Sequence, residues 1–115
     1  MVLTDGVLSD VKEGLGLPVD DSAFDVELLM HINSSVIELS QNGVSLPIMV
    51  DAETKWIDLQ DPTRTEGNKS FQMVPLYVML NTKILFDPPP PSSVEHHANQ
   101  IQKLLWRLKL AYEQS

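Results

Sequence analysis

At 115 residues, 43% of them hydrophobic, the chain is long enough to fold around one core and too short for several domains. It has no cysteine, which excludes disulfides, thiolate zinc sites and a cysteine nucleophile together. The formal charge of −8 works against gripping DNA, because that affinity comes from lysine and arginine displacing counterions from phosphates.

No apolar run approaches the roughly 20 residues that a bilayer-spanning helix needs. Met1 to Ser9 carries neither the basic segment nor the apolar stretch of a secretory leader. A cytosolic protein without membrane attachment is the default expectation.

The first helix is predicted from about Asp5 to Leu15, with Val7 or Leu8, Val11 and Leu15 on one face. Gly14 weakens it, so it depends on tertiary packing, and Gly16 followed by Pro18 ends it. The second helix is predicted from about Ser22 to Gln41. Asp21 or Ser22 supplies the cap, Asp25 stands three residues on as in a capping box, and Gly43 is the stop. Two stripes run along it: Leu29, Ile32, Val36 and Leu39 form one, and Val26, Met30 and Ile37 the other. A helix apolar on two sides must be covered twice, by another helix or by a neighbouring molecule.

Regularity stops between about residues 44 and 69. A connection this long is normally functional or disordered, and this one is too apolar to be disordered. Leu46 to Val50 reads as a short extended piece, and Thr54 to Leu59 as a helical turn capped by Thr54. Asp61-Pro62 and Glu66-Gly67-Asn68 are turn chemistry.

A third helix is predicted from about Ser70 to Phe86, beginning near Pro75 or kinked there. One face carries Phe71, Val74, Val78 and Leu85, and the adjoining face Met73, Tyr77, Leu80 and Ile84. Asp87 and the four prolines after it break the chain with a stiff strut. The last helix runs from Ser92 or Ser93 to about Glu113, with Ser92 and Glu95 at capping-box spacing. Its seam, Val94, Ala98, Ile101, Leu105, Leu108 and Tyr112, has coiled-coil spacing, while Leu104, Trp106 and Leu110 lie outside it. The fold class is therefore all-α: a single bundle of about four helices, with a long, partly ordered loop and a proline-rich break.

Catalytic groups do not assemble in this pattern. His31 has no Glu-His frame, and His96 and His97 point about 100° apart on their helix, so they share no metal comfortably. The acidic pairs Asp20-Asp21, Asp51 with Glu53 and Asp58 with Asp61 sit at helix starts or turns, where capping explains them. Ser34-Ser35 and Ser92-Ser93 lack a base–nucleophile frame, and no glycine-rich phosphate loop is present. The expectation is a non-enzyme with no cofactor and no metal. Tryptophan is usually core, yet it is also enriched among residues that dominate interfaces. Trp56, Ile57 and Leu59 in the loop are therefore candidate anchors, as are Val26, Met30 and Ile37 on the second helix. Trp106, Leu110 and Tyr112 on the last helix complete the set.

Two stretches, DVELLMHINSSVIELSQNG (residues 25–43) and YVMLNTKILFDPP (residues 77–89), resemble the head–tail connector proteins of long-tailed phages and prophages. So do Trp56 in the loop and the Leu105-Trp106-Arg107-Leu108 run, in matching order from about Leu8 to Glu113. Pro75 departs from the helix-forming residues of that pattern. The resemblance implies a structural virion protein of the head–tail junction, made in the host cytoplasm. It implies a ring of about twelve identical subunits joined head to tail. One rim would dock on the portal protein and the other receive a stopper or tail-completion protein, with DNA only passing through. Size and charge alone also suit a soluble helical protein-binding or regulatory module encoded by a phage.

Overall fold

The first described turn shows how local and distant signals combine. Helix α1 (Val7–Gly14) starts where the Val7 N–H is accepted by the Thr54 carbonyl, 3.0 Å away across the chain. In return the Trp56 N–H donates to the Asp5 carbonyl at 3.1 Å, so Gly6 and Lys55 form an isolated antiparallel bridge. The computed structural model describes residues 4–60, 71 and 73–113. The expected turns at residues 61–62 and 66–68, and the expected start of the third helix at Ser70, lie outside the described residues.

Helix α1 buries Val7, Leu8 and Val11, and Gly16 at φ +76° ends it as glycine allows. Gly14 has a packing role: a Cβ there would come within 2.3 Å of Met79 Cε. Helix α2 (Asp25–Gln41) starts three residues later than expected, with Phe24 at its cap and no side-chain cap. Asp21 does accept an amide, but that of Ala23 (2.9 Å), which closes a turn before the helix. Asp25 makes no capping box. Its Oδ1 lies 2.5 Å from the Lys12 ammonium, which also donates to the Val19 carbonyl at 3.2 Å. A buried lysine stem thus ties the end of α1 to the start of α2. Gly43, at φ +88°, provides the stop.

Helix α3 (Met73–Phe86) begins close to Pro75, where the missing amide proton costs little. Helix α4 (Pro91–Glu113) begins on proline, a favoured first residue because φ is pre-set and no amide is lost. Ser92 therefore lies inside the helix and does not cap it. Ser93 closes the first turn, its N–H and hydroxyl both directed to the Pro90 carbonyl (2.9 and 3.1 Å). Among the described residues there is no strand, and the four α-helices form the small all-α bundle that the periodicities predict.

Helix α3 is the middle of the packing: it contacts α2, α4 and α1, and α1 also touches α2. One hydrophobic cluster joins Leu28, Ile32, Val36 and Leu39 of α2 to Val74, Tyr77 and Val78 of α3 and to Leu105 and Leu108 of α4. Each such aliphatic side chain stabilises the fold by roughly 1.5–3 kcal/mol relative to leaving it in water. Leu28, unassigned by the stripe pattern, is fully buried, whereas Leu85 of the expected α3 face is exposed and Thr82 takes a buried place.

Polar clamps fix α2 against α3. Asn81 donates to the Ser35 hydroxyl (2.9 Å), which itself bonds the His31 carbonyl (3.2 Å), and buried Tyr77 donates its hydroxyl to Glu38 Oε1. Burial above all, and then the Glu38 carboxylate, push the Tyr77 phenol above its ordinary value of 10.0. The folded protein therefore holds this proton more tightly than the unfolded chain does. The resulting stability is complete below pH about 10 and is lost as pH rises past it. Tyr77→Phe should cost about 1–2 kcal/mol at neutral pH and remove this part of the alkaline loss. Urea unfolding of both proteins at neutral and alkaline pH checks it; parallel losses would show that the phenol does not contribute.

Candidate interaction surfaces

The nine candidate anchors separate by burial. Trp56 is 0% exposed, and Leu59 and Tyr112 are buried with it in the core. These three are corrected from surface anchors to core residues. Val26 (76% exposed), Met30 (68%), Trp106 (63%), Ile37, Ile57 and Leu110 stand on the surface.

Trp56 is inside because three hydrogen bonds hold its loop. The backbone bridge to residues 5–7 brings it over α1, and its indole N–H donates to Asp10 Oδ2 at 2.8 Å. Thr54 does not cap the following 3-10 turn, which runs Trp56–Leu59 with Lys55 before it. Asp58 does that, accepting the Lys55 N–H at 2.9 Å. Thr54 closes the preceding turn: its hydroxyl accepts the Asp51 N–H (2.9 Å) and donates to the Asp51 carboxylate (3.0 Å). The Glu53 N–H and then the Thr54 hydroxyl hold the Asp51 carboxyl below its ordinary range.

On α2 the exposed residues form a defined face. At 100° per residue, Val26, Met30 and Ile37 centre roughly 150° from the stripe that enters the core. The 46–50 segment extends this face. It makes no ladder, but Asn33 grips it twice: its amide donates to the Val50 carbonyl (2.9 Å) and its oxygen accepts the Val50 N–H (2.7 Å). Exposed Ile48 and Met49 are thereby set beside Ile37, with Leu46 and Val36 in the floor of a shallow trough of about 460 Å³. The apolar letters of this segment were visible in the sequence; their position next to α2 was not, because it depends on the Asn33 side chain. Replacing Asn33 by alanine should cost about 2–3 kcal/mol, since two bonds go and two backbone groups lose partners. It should also speed amide exchange at Met49 and Val50 selectively. Uniform exchange across the chain would contradict this local role.

Helix α4 repeats the arrangement on the other flank. Trp106 and Leu110 centre roughly 150° from buried Ile101, Leu105, Leu108 and Tyr112. Near its start, Val94 and Ala98 of the expected seam are exposed, because there the seam faces a groove floored by Ile84 and Pro89.

A crevice of about 740 Å³ lies where α3 meets α4, lined by Lys83, Asp87, His97 and the prolines. Ser93 and His97 are neighbours there, but not as nucleophile and base. The His97 Nδ1–H donates to the Ser93 carbonyl at 2.8 Å, and the Ser93 hydroxyl goes to Pro90. His96 stands edge-on to His97, and His31 lies 3.6 Å from Glu27 one turn earlier. Among the described residues no group of three or more His, Asp or Glu side chains is placed to hold a metal, and no helix is long and apolar enough to cross a membrane.

Among the described residues the arrangement thus offers two exposed apolar faces. A family model described as phage connector protein matches residues 7–115. This chain belongs to the phage connector protein family. The match takes in all four helices, the loop and both exposed faces of the connector. Membership makes it a structural phage protein of the head–tail connector class and a component of the virion. Neither a curated protein nor a solved structure matches the connector chain.

Proposed function

We propose that the chain is an adaptor subunit: copies of it form a ring at the head–tail junction, dock on the portal, extend the DNA channel and receive a stopper or tail-completion protein. The observation that carries this reading is the uncovered face of α2, with Val26, Met30 and Ile37 in water on a helix whose opposite side is already packed. Such a stripe costs free energy in solution at roughly 25 cal/mol per Å² of apolar area, and a neighbouring subunit or the portal removes the cost.

Charge supports the same reading. An excess of carboxylates suits a wall past which DNA slides, because it repels phosphate and does not hold it. DNA is then a passing load and not a ligand. The subunit assembles in the host cytoplasm and ends in the particle.

Mixing purified chain with portal rings tests the proposal. Co-sedimentation and density beneath the portal are expected. A chain that never binds portal rings and is absent from purified virions would overturn it.

A further inference from the structure

The two exposed apolar faces differ in charge, and their placement decides how they meet. Between Lys12 and Lys55 there is no lysine or arginine, and eight carboxylates fall in that interval. Asp25 is taken by Lys12 and Glu38 by Tyr77, but Glu27, Asp51 and Glu53 are exposed around the α2–loop face. On α4, exposed Lys103 and Arg107 lie beside Trp106, while the helix's exposed carboxylates, Glu95 and Glu113, stand near its two ends. One face is therefore apolar with an acidic rim, and the other apolar with a basic rim. Such surfaces attract each other, whereas two copies of either one repel at the rim.

They also lie apart. Helices α2 and α4 each pack mainly on α3, and the apolar stripe of each is left exposed. A chain cannot bring its own α4 onto the outer face of its own α2. A second copy can.

We infer that the outer face of α4, anchored by Trp106, packs on the α2–loop face of the next copy of this chain, Ile37 and Met49 lying under it. The contact is heterologous: each copy uses one face to give and the other to receive, so the contact repeats and closes into a ring if its rotation allows. It rests on the adaptor reading, and names the surfaces that join one subunit to the next. Exposed aromatic residues of this kind carry a large share of interface energy, and Trp106 is the largest exposed side chain on α4.

Complementation tests it. Met30→Glu spoils the receiving face and Trp106→Glu the giving face; both sites are exposed, so both variants should keep the helical circular dichroism of the parent. By sedimentation velocity up to about millimolar concentration, the parent should form growing oligomers, and each variant alone should associate at least about tenfold more weakly. An equimolar mixture should give a dimer and nothing larger, because one intact contact remains between the unlike partners. A monomeric parent at every concentration, or a mixture that stays monomeric, overturns the inference. So does a Trp106→Glu chain that still associates fully, which would mean that α2 faces pair with each other. Lys103→Glu with Arg107→Glu, which removes no apolar anchor, should weaken parent association and remove its sensitivity to salt; unchanged association would count against the charge match. Portal binding is read separately. Docking on portal without pairing in the mixture overturns this contact alone, and pairing without docking overturns the adaptor role alone.

Discussion

Trp56→Ala should destabilise the chain by about 3–5 kcal/mol, the usual cost of emptying a large aromatic site in a core. The indole is fully buried, and it is also the partner of Asp10, itself 9% exposed. Removing it leaves a carboxylate under the loop without that donor, which adds to the cavity cost. Domains of this size are stable by only about 5–15 kcal/mol, so the change consumes a large part of the total. Thermal melting followed by circular dichroism should fall by about 10–25 °C. Trp56→Phe keeps most of the volume and loses only the donor, so its fall should be clearly smaller. A Trp56→Ala protein melting within a degree or two of the parent would mean that Trp56 is a surface residue after all.

The opposite behaviour is expected on the outer face of α2. Val26→Asp with Ile37→Asp should change stability by no more than about 0.5 kcal/mol, because neither side chain contributes to the core. Co-assembly with portal should nevertheless fall by about a hundredfold or more, since two desolvated anchors are replaced by charges that cannot be buried unpaired. Melting measures the first effect and co-sedimentation the second. Loss of both together would show that the face supports the monomer; loss of neither would show that nothing covers it.

The pair of experiments reflects what the sequence made legible. Helix ends were readable wherever a residue acts through its own backbone: Gly16 and Gly43 at positive φ, Pro75 near a helix start, and the proline run after Asp87. The division of α2 into two stripes was readable because 3.6-residue periodicity is a local property. Its rotation was not, and Leu28 rather than Leu29 is the fully buried neighbour. On α3 nearly every side is apolar, so the pattern did not separate buried Thr82 from exposed Leu85.

What remained hidden depends on partners far along the chain. Asp25 looks like a capping residue until Lys12 is brought to it. Thr54 looks like a cap until the Asp51 turn takes its hydroxyl. Trp56 sits in an aperiodic loop, and only the bridge to residues 5–7 and the Asp10 carboxylate put it inside. Of the anchors named from the sequence, those on α2, and Trp106 and Leu110 on α4, stand on the surface because a helix fixes the direction of each residue. The loop anchors did not share that logic, and two of the three are core.

The central claim is that this chain carries more apolar helix surface than one copy covers, and that other copies and the portal vertex supply the cover. Near-atomic imaging of the assembled neck tests it most directly. Val26, Met30, Ile37 and Trp106 should be enclosed by protein in every copy. A particle in which those side chains still face water would contradict the account.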